Sequence, residues 1–380
     1  MTRTRYIIAG ESSGDALAAS LMRATDRLAG PAGWQGMGGP QMQAAGLVSG
    51  HDYTQLSLIG FGEALAALPR LLRLAGQLAE EVMALRPSAV FTVDSKAFSM
   101  RFAKILRKNM NKSGWSCPII HMVAPTVWAW GSWRKRGFEQ LFDGLLCLFP
   151  FEPELFDSAA VKACFVGHPA AFTHPVDRSK ASDKLIALFP GSRGAELDYI
   201  LEDMLGAAER LWQADQERRF MLPAVPHLAD RLAARLARAE ILPVQLVTGP
   251  DAARRAFTEA GSGLLASGTA SLQAALAGMP VITCYKVGAV NYRLMRWLFH
   301  LPDPILPNIL LGRVLYPFFG QSDQTSRNLA AALEAVLADP QGQAATLNQA
   351  AAELRALLTG GHVDFDASLQ AGLAEIRADL

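Results

Sequence analysis

The chain holds only four cysteines, Cys117, Cys147, Cys164 and Cys284, and no two of them form a Cys-x-x-Cys pair. That spacing offers neither a zinc ligand set nor a redox motif. Each cysteine sits in an apolar, strand-like run, as buried reduced thiols do. No Gly-x-x-x-x-Gly-Lys-Ser/Thr occurs, which excludes a P-loop kinase or ATPase. Charge of one sign is missing too: 36 Lys and Arg against 35 Asp and Glu leave a formal net charge of +1. A general polyanion binder is thereby excluded, no nucleic-acid partner is expected, and any basic patch is local. Long apolar runs are also absent. The longest uncharged stretch, Ala260 to Tyr285, is interrupted by Gly, Ser, Thr, Gln and Pro and reads as strand-helix-strand, not as a membrane span. Met1 to Arg5 lead straight into a strand pattern, without the apolar region and small-residue cleavage site of a signal peptide. A soluble or at most peripheral protein is expected.

What is present is apolar sequence: 51% of the 380 residues are hydrophobic and 19% charged, enough for two α/β domains with full cores. Strand-like runs alternate with helical periodicity, which argues for parallel sheets covered by helices. Strands are expected near 5–9, 33–37, 88–94, 118–123, 143–148 and 163–166, with helices near 14–29, 61–84, 96–110 and 132–140. A Pro-, His- and Ser-rich stretch from Gly167 to Ser182 breaks the rhythm and reads as a linker. Beyond it, strands are expected near 184–189, 218–222, 243–248, 262–266 and 280–285. An Ala/Leu-rich helical segment closes the chain. The domains expected are 1–172, 183–345 and a helical 346–380 that packs back on another domain or on a partner subunit. Open α/β sheets place ligands at the carboxyl ends of their strands.

Several motifs lie at such ends. Leu264-Leu265-Ala266-Ser267-Gly268-Thr269-Ala270 reads as a buried strand, a tight turn and a helix start. That arrangement aims backbone N–H groups and the positive helix end at an anion. Ile7-Ile8-Ala9-Gly10-Glu11-Ser12-Ser13-Gly14-Asp15 opens a similar unit near the N-terminus. Phe189-Pro190-Gly191-Ser192-Arg193 sets a guanidinium at a strand end, suited either to a diphosphate or to a surface ion pair. Val90-Phe91-Thr92-Val93-Asp94 ends in a carboxylate, a place for a general base or a helix cap. Trp128 and Trp130 flank one alanine after a Pro turn and either wall an acceptor site or pin the loop. Arg134, Lys135 and Arg136 follow, candidates for an acceptor phosphate or a lipid headgroup. No other histidine lies at metal-ligand spacing from His168, so zinc is not expected. The apolar run Leu56 to Leu74, with Arg70 and Arg73, and the basic stretch Arg101 to Lys112 fit either core helices with snorkelling arginines or a membrane-facing surface.

Taken together, these blocks resemble one family, the lipid-A-disaccharide synthases. The carriers are Ala9 to Asp15, Gly38-Gly39-Pro40 with Met42 to Gly46, and Gly60-Phe61 with Glu63. They continue with Val127 to Trp130, Phe149-Pro150-Phe151-Glu152, Val166 to Pro169 and Pro190 to Arg193. Ser267 to Ala270 and Leu306-Pro307-Asn308-Ile309-Leu310 with Gly312-Arg313 complete the set, so the likeness runs almost the whole length. It implies a GT-B fold: two Rossmann-like parallel-sheet domains facing a central cleft, with a helical C-terminal segment.

The resemblance further implies an inverting transfer from UDP-2,3-diacylglucosamine to 2,3-diacylglucosamine 1-phosphate, giving a β-1′,6-linked disaccharide 1-phosphate and UDP. No metal or other cofactor is implied. Asp94 falls on the family's base and Arg193 on its diphosphate arginine. Ser192, Ser267, Gly268, Thr269, Gln273 and Asn308 fall on the UDP-sugar side. Glu11, Ser12, Ser13, Gly14, Trp128, Trp130 and Arg134 fall on the acceptor and membrane side. A homodimer, peripheral on the cytosolic face of the inner membrane, is implied as well. The chain departs from the family at Gln41, Ala97, Gly131, Phe172 and Gln273. The change at Ala97 removes a second carboxylate and leaves Asp94 the only base candidate in its turn. The readings left beside this one are another GT-B UDP-sugar enzyme, of the UDP-GlcNAc epimerase or lipid II glycosyltransferase type, and a non-catalytic nucleotide-sugar binder.

Overall fold

The computed structural model describes residues 3–10, 12–56, 63–128, 134–238, 242–288, 292–293 and 304–376. The chain divides into two compact units, residues 1–172 with 357–380, and residues 173–356. The first unit runs β1 (Thr4–Ala9), α1 (Ser12–Ala29), β2 (Gly33–Met37), α2 (Pro40–Ala44), β3 (Leu47–Ser49), α3 (Glu63–Leu85), β4 (Ala89–Val93), α4 (Lys96–Ser113), β5 (Ile119–Met122), α5 (Lys135–Leu141), β6 (Gly144–Cys147), β7 (Lys162–Phe165) and α6 (Pro169–Phe172). Its seven strands pair in parallel in the order β3-β2-β1-β4-β5-β6-β7.

Parallel sheets are covered on both faces, so their central strands are apolar throughout. All five residues of β4 are buried. Alternate side chains feed opposite layers. Tyr6, Ile8 and Val90 pack with α3 and α4 residues such as Leu78 and Phe102. Ile7, Phe91 and Val93 pack with Leu21 of α1.

The second unit runs β8 (Ser182–Phe189), α7 (Gly194–Ala214), β9 (Arg219–Pro223), α8 (Ala229–Leu236), β10 (Val244–Val247), α9 (Ala252–Glu259), β11 (Ala260–Ala266), α10 (Thr269–Leu276), β12 (Val281–Tyr285), α11 (Leu306–Leu311), β13 (Phe318–Gly320) and α12 (Ser326–Leu337). Its sheet is again parallel, in the order β10-β9-β8-β11-β12-β13. Arg178 anchors the incoming chain: its guanidinium donates to the carbonyls of Phe257 at 2.6 Å and of Ala260 and Gly261 at 3.0 Å each.

Two elements follow, α13 (Pro340–Thr359) and α14 (Phe365–Ile376). The break expected near 346 is not one, because α13 is continuous there and spans the unit boundary. It stops at Gly360-Gly361, whose φ values of 58° and 82° favour glycine. Helix α14 packs on α1, β6 and β7, and Leu369, Leu373 and Ile376 complete the first unit's core. Among the described residues no helix is long and apolar enough to cross a membrane.

Candidate functional site

Each sheet reverses its winding at one point, between β1 and β4 in the first unit and between β8 and β11 in the second. The crevice at such a point is where open α/β sheets take ligands. In the first unit Ala9 pairs with Val93, so Gly10 and Asp94 leave the sheet side by side. Gly14 lies over the same spot: a Cβ there would stand 3.7 Å from the Val93 carbonyl oxygen and 4.0 Å from the Asp94 Cβ. Ser13 is exposed in the first turn of α1. Glu11 and Trp130 lie outside the described residues, as do Gly60, Phe61 and Gly131, and of Ser12 only the backbone is described. Gly10-x-Ser12-x-Gly14 also matches the spacing of a hydrolase nucleophile turn.

Asp94 and Ser95 both take left-handed backbone, at φ 51° and 41°. This sharp turn from β4 into α4 sets the Asp94 carboxylate half-exposed at the strand end. Lys96 Nζ donates to Asp94 Oδ1 at 3.0 Å, and the Asp94 amide donates to the Met122 carbonyl at 3.0 Å. Asp15 does different work. Buried, it accepts from the amides of Gly39 (2.8 Å), Gln41 (2.9 Å) and Met42 (3.1 Å) and so caps α2.

The strand ends beyond Asp94 carry a second set of groups. Trp128, half-buried in the loop after β5, meets Phe151 and Phe149 edge-on, with centroids 5.4 and 6.5 Å away. Its indole Nε1 donates to Glu152 Oε1 at 3.4 Å. Glu152 is buried, and loss of water pushes its pKa up to about 7 against the hydrogen bonds of Phe149 and Trp128 and the charge of Lys96, which pull the other way. Glu152, in the turn after β6, is thus a second carboxyl of this unit, and it feels the charge of the Lys96 that is bonded to Asp94. The Phe-Pro-Phe-Glu block was its only sequence signal. His168 is a turn residue: Nδ1 accepts from the Ala170 amide at 3.3 Å, the ring stacks on Phe149, and burial lowers its pKa to about 4. Arg134 stands at the N-cap of α5, and partial burial lowers its pKa.

In the second unit Phe189 pairs with Leu265, which brings the Gly191-Ser192-Arg193 turn beside Ser267-Gly268-Thr269. Gly191, at φ 108°, allows the first turn. His227 Nε2 lies 3.1 Å from the Ser192 carbonyl, and Arg231 donates to the Gly194 carbonyl at 3.2 Å. Arg193 and Ser192 are exposed. Helix α10 starts at Thr269 after Gly268, and among the described residues no atom lies within 4 Å of a Cβ built on Gly268. Gln273 is exposed one turn along α10.

Asn308 differs from the rest of this group. It is buried, its Oδ1 accepts from the amides of Leu315 and Tyr316, and its Nδ2 donates to the Tyr316 carbonyl. It holds the chain before β13 and points its amide at that backbone. The chain's one Asp-x-Asp, Asp364-Phe365-Asp366, is likewise structural. Asp364 caps α14 through the Ala367 amide, and Asp366 pairs with Arg23 and Arg27. Among the described residues no group of acids, histidines or cysteines could hold a metal ion.

Comparison with known proteins identifies the family. A family model described as lipid-A-disaccharide synthetase matches residues 5–365. The lipid-A-disaccharide synthase of an Azoarcus species is 37% identical over 352 residues, 89% of this chain and 88% of that protein. The Anaeromyxobacter dehalogenans protein of the same name is 34% identical over 369 residues, 94% of both. Among solved structures, a UDP-GlcNAc 2-epimerase from Neisseria meningitidis bound to UDP-GlcNAc aligns with TM-score 0.60 at 11% identity, over 98% of this chain and 100% of that one, a likeness of fold alone. With a family match that spans both sheets and both strand-end clusters, the chain belongs to the lipid-A-disaccharide synthase family.

Proposed function

We propose that this chain joins UDP-2,3-diacylglucosamine to 2,3-diacylglucosamine 1-phosphate, with inversion, to give the disaccharide 1-phosphate and UDP. The 6-hydroxyl of the acceptor attacks the anomeric carbon of the donor as the bond to the diphosphate breaks. Asp94 takes the hydroxyl proton, so the nucleophile gains charge as it bonds. Negative charge grows on the departing UDP. Arg193 and the backbone amides at the start of α10 stabilise it more in the transition state than in the ground state.

The observation that carries this reading is that the two switch points hold opposite chemistry. The first sets a carboxylate on a strained turn. The second sets the turn that carries Arg193 beside a helix start with open space above Gly268. On this reading Ser192, Ser267, Thr269 and Gln273 line the nucleotide side. Asn308 serves it indirectly, by shaping the chain before β13. Ser13, Gly14, Trp128 and Arg134 line the acceptor side.

Both substrates carry acyl chains, so the enzyme works at a membrane surface. Arg70 and Arg73 on α3 and Arg101 and Lys104 on α4 are exposed on two helices that pack together. With Leu72, 37% exposed, they form the surface we assign to anionic lipid. A homodimer, peripheral on the cytosolic face, completes the proposal.

The test is an assay with both lipid substrates, with and without EDTA. Disaccharide formation that survives the chelator is expected. Asp94→Asn should keep UDP binding while turnover falls by about a hundredfold or more, the usual scale of lost acid–base help. Turnover near wild type in that variant removes Asp94 from the mechanism.

A further inference from the structure

Glu152 is a carboxyl that the reaction as described does not use. It is 2% exposed, yet its surroundings are more polar than a core position needs. Its Oε2 accepts from two successive amides at the end of β6, Leu148 and Phe149, each at 3.1 Å. Its Oε1 takes the indole N–H of Trp128. One side chain therefore joins two loops, the one leaving β5 and the one leaving β6.

The β5 loop matters for the reaction because β5 is the neighbour of β4, and the Asp94 amide is hydrogen-bonded to the last residue of β5. Val123, the next residue, is held at φ 76°, an outlier for a β-branched side chain. Lys96, bonded to Asp94, is near enough for its charge to act on Glu152 as well. Trp128 itself is only half-buried. A loop that only needed tethering could be held by apolar packing, without the cost of burying an acid.

We propose that Glu152 is a positioning residue for the acceptor sugar: it fixes the Trp128 indole against the end of β6, where the ring forms a wall of the acceptor pocket beside Asp94. The flat apolar ring suits one face of a pyranose, and its orientation sets where the acceptor 6-hydroxyl meets the carboxylate. This inference rests on the glycosyl-transfer reading above.

The experiment is steady-state kinetics of the full chain with detergent-dispersed substrates, varying donor and acceptor separately. The variants are Glu152→Gln, Trp128→Phe and the double variant. Wild-type turnover in the same assay tests the reading itself, independently of the variants.

Glu152→Gln keeps an acceptor for the two amides but turns an NH2 group toward the indole N–H. It should raise the acceptor KM about tenfold, the scale of one lost hydrogen bond to a charged group, with donor KM and UDP binding unchanged. Trp128→Phe should do the same. The double variant should be no worse than the worse single one, because both break one contact. An acceptor KM within twofold of wild type in Glu152→Gln, or effects that multiply in the double variant, overturns the proposal. Should Glu152→Gln lack the folded circular-dichroism spectrum, Trp128→Phe decides alone, and an unchanged acceptor KM in it has the same force.

Discussion

Strain at single residues marks the first unit's strand ends. Asp94, Ser95 and Val123 have positive φ without being glycine, and all three follow β4 or β5. Each such conformation costs about 1–3 kcal/mol and persists only where the surroundings impose it. A residue's type did not settle its use. Asp94 offers its carboxylate at a strand end, whereas Asp15 spends its own on three amides. Asn308 matches the family's nucleotide side by sequence, yet its amide is taken up by the chain next to it.

Glu152 also predicts a pH effect on stability. Folding raises its pKa from 4.5 to about 7. Between those values the folded state binds the extra proton, so this group's contribution falls as pH rises through the window and levels off above it. The effect amounts to about 3 kcal/mol at most. His121 and His168, whose pKa values burial lowers to about 3 and about 4, act in the opposite sense. The quantity to measure is therefore the difference between wild type and Glu152→Gln in urea unfolding at pH 5 and pH 8. Wild type should lose stability relative to the variant on going to pH 8. Equal changes in the two proteins would mean that Glu152 titrates as an ordinary carboxyl.

At the scale of elements, the turns matter more than the strands they follow. Arg193 is flanked by two tied carbonyls, Ser192's beside His227 and Gly194's accepting from Arg231, both from the segment after β9, so its guanidinium starts from a braced backbone. If Arg193 acts on charge that develops late, Arg193→Ala should lower kcat more than it raises the donor KM. A change in KM alone would make Arg193 a binding residue only.

Most of this organisation was readable in the sequence. Eleven strands were expected, and the two missed, β3 and β13, have three residues each and lie at the sheet edges. Three residues carry too little periodicity to be read, and only a neighbour's hydrogen bonds make them strands.

For the whole molecule, the exposed basic residues of α3 and α4 give the decisive test of the membrane proposal. Each well-placed Lys or Arg adds about 1 kcal/mol on an anionic surface. Replacing Arg70, Arg73, Arg101 and Lys104 with Ser should release the protein from anionic vesicles in a sedimentation assay, and high salt should mimic it. Activity on detergent-dispersed substrate should fall much less. Wild-type protein that ignores such vesicles at low salt would leave these residues a solvated face. The dimer is checked by sedimentation, where a monodisperse monomer at micromolar concentration counts against it.

By itself the sequence determined the alternation of strand and helix, because apolar periodicity is local. It also determined the strand-end positions of Asp94, Arg193 and Ser267 to Thr269, because motif and strand are contiguous. Tertiary structure alone decided the strand order, which joins Ala9 to Val93 and Phe189 to Leu265 and so puts separate turns side by side. It decided that Glu152, in the turn after β6, takes the indole N–H of Trp128 from the loop after β5. It also decided that α14 returns to the first unit, where Ile376 lies so close to Gly144 that a Cβ there would come within 2.6 Å of its side chain. These are contacts between residues far apart in the chain, and no local pattern records a partner that lies beyond the reach of one element.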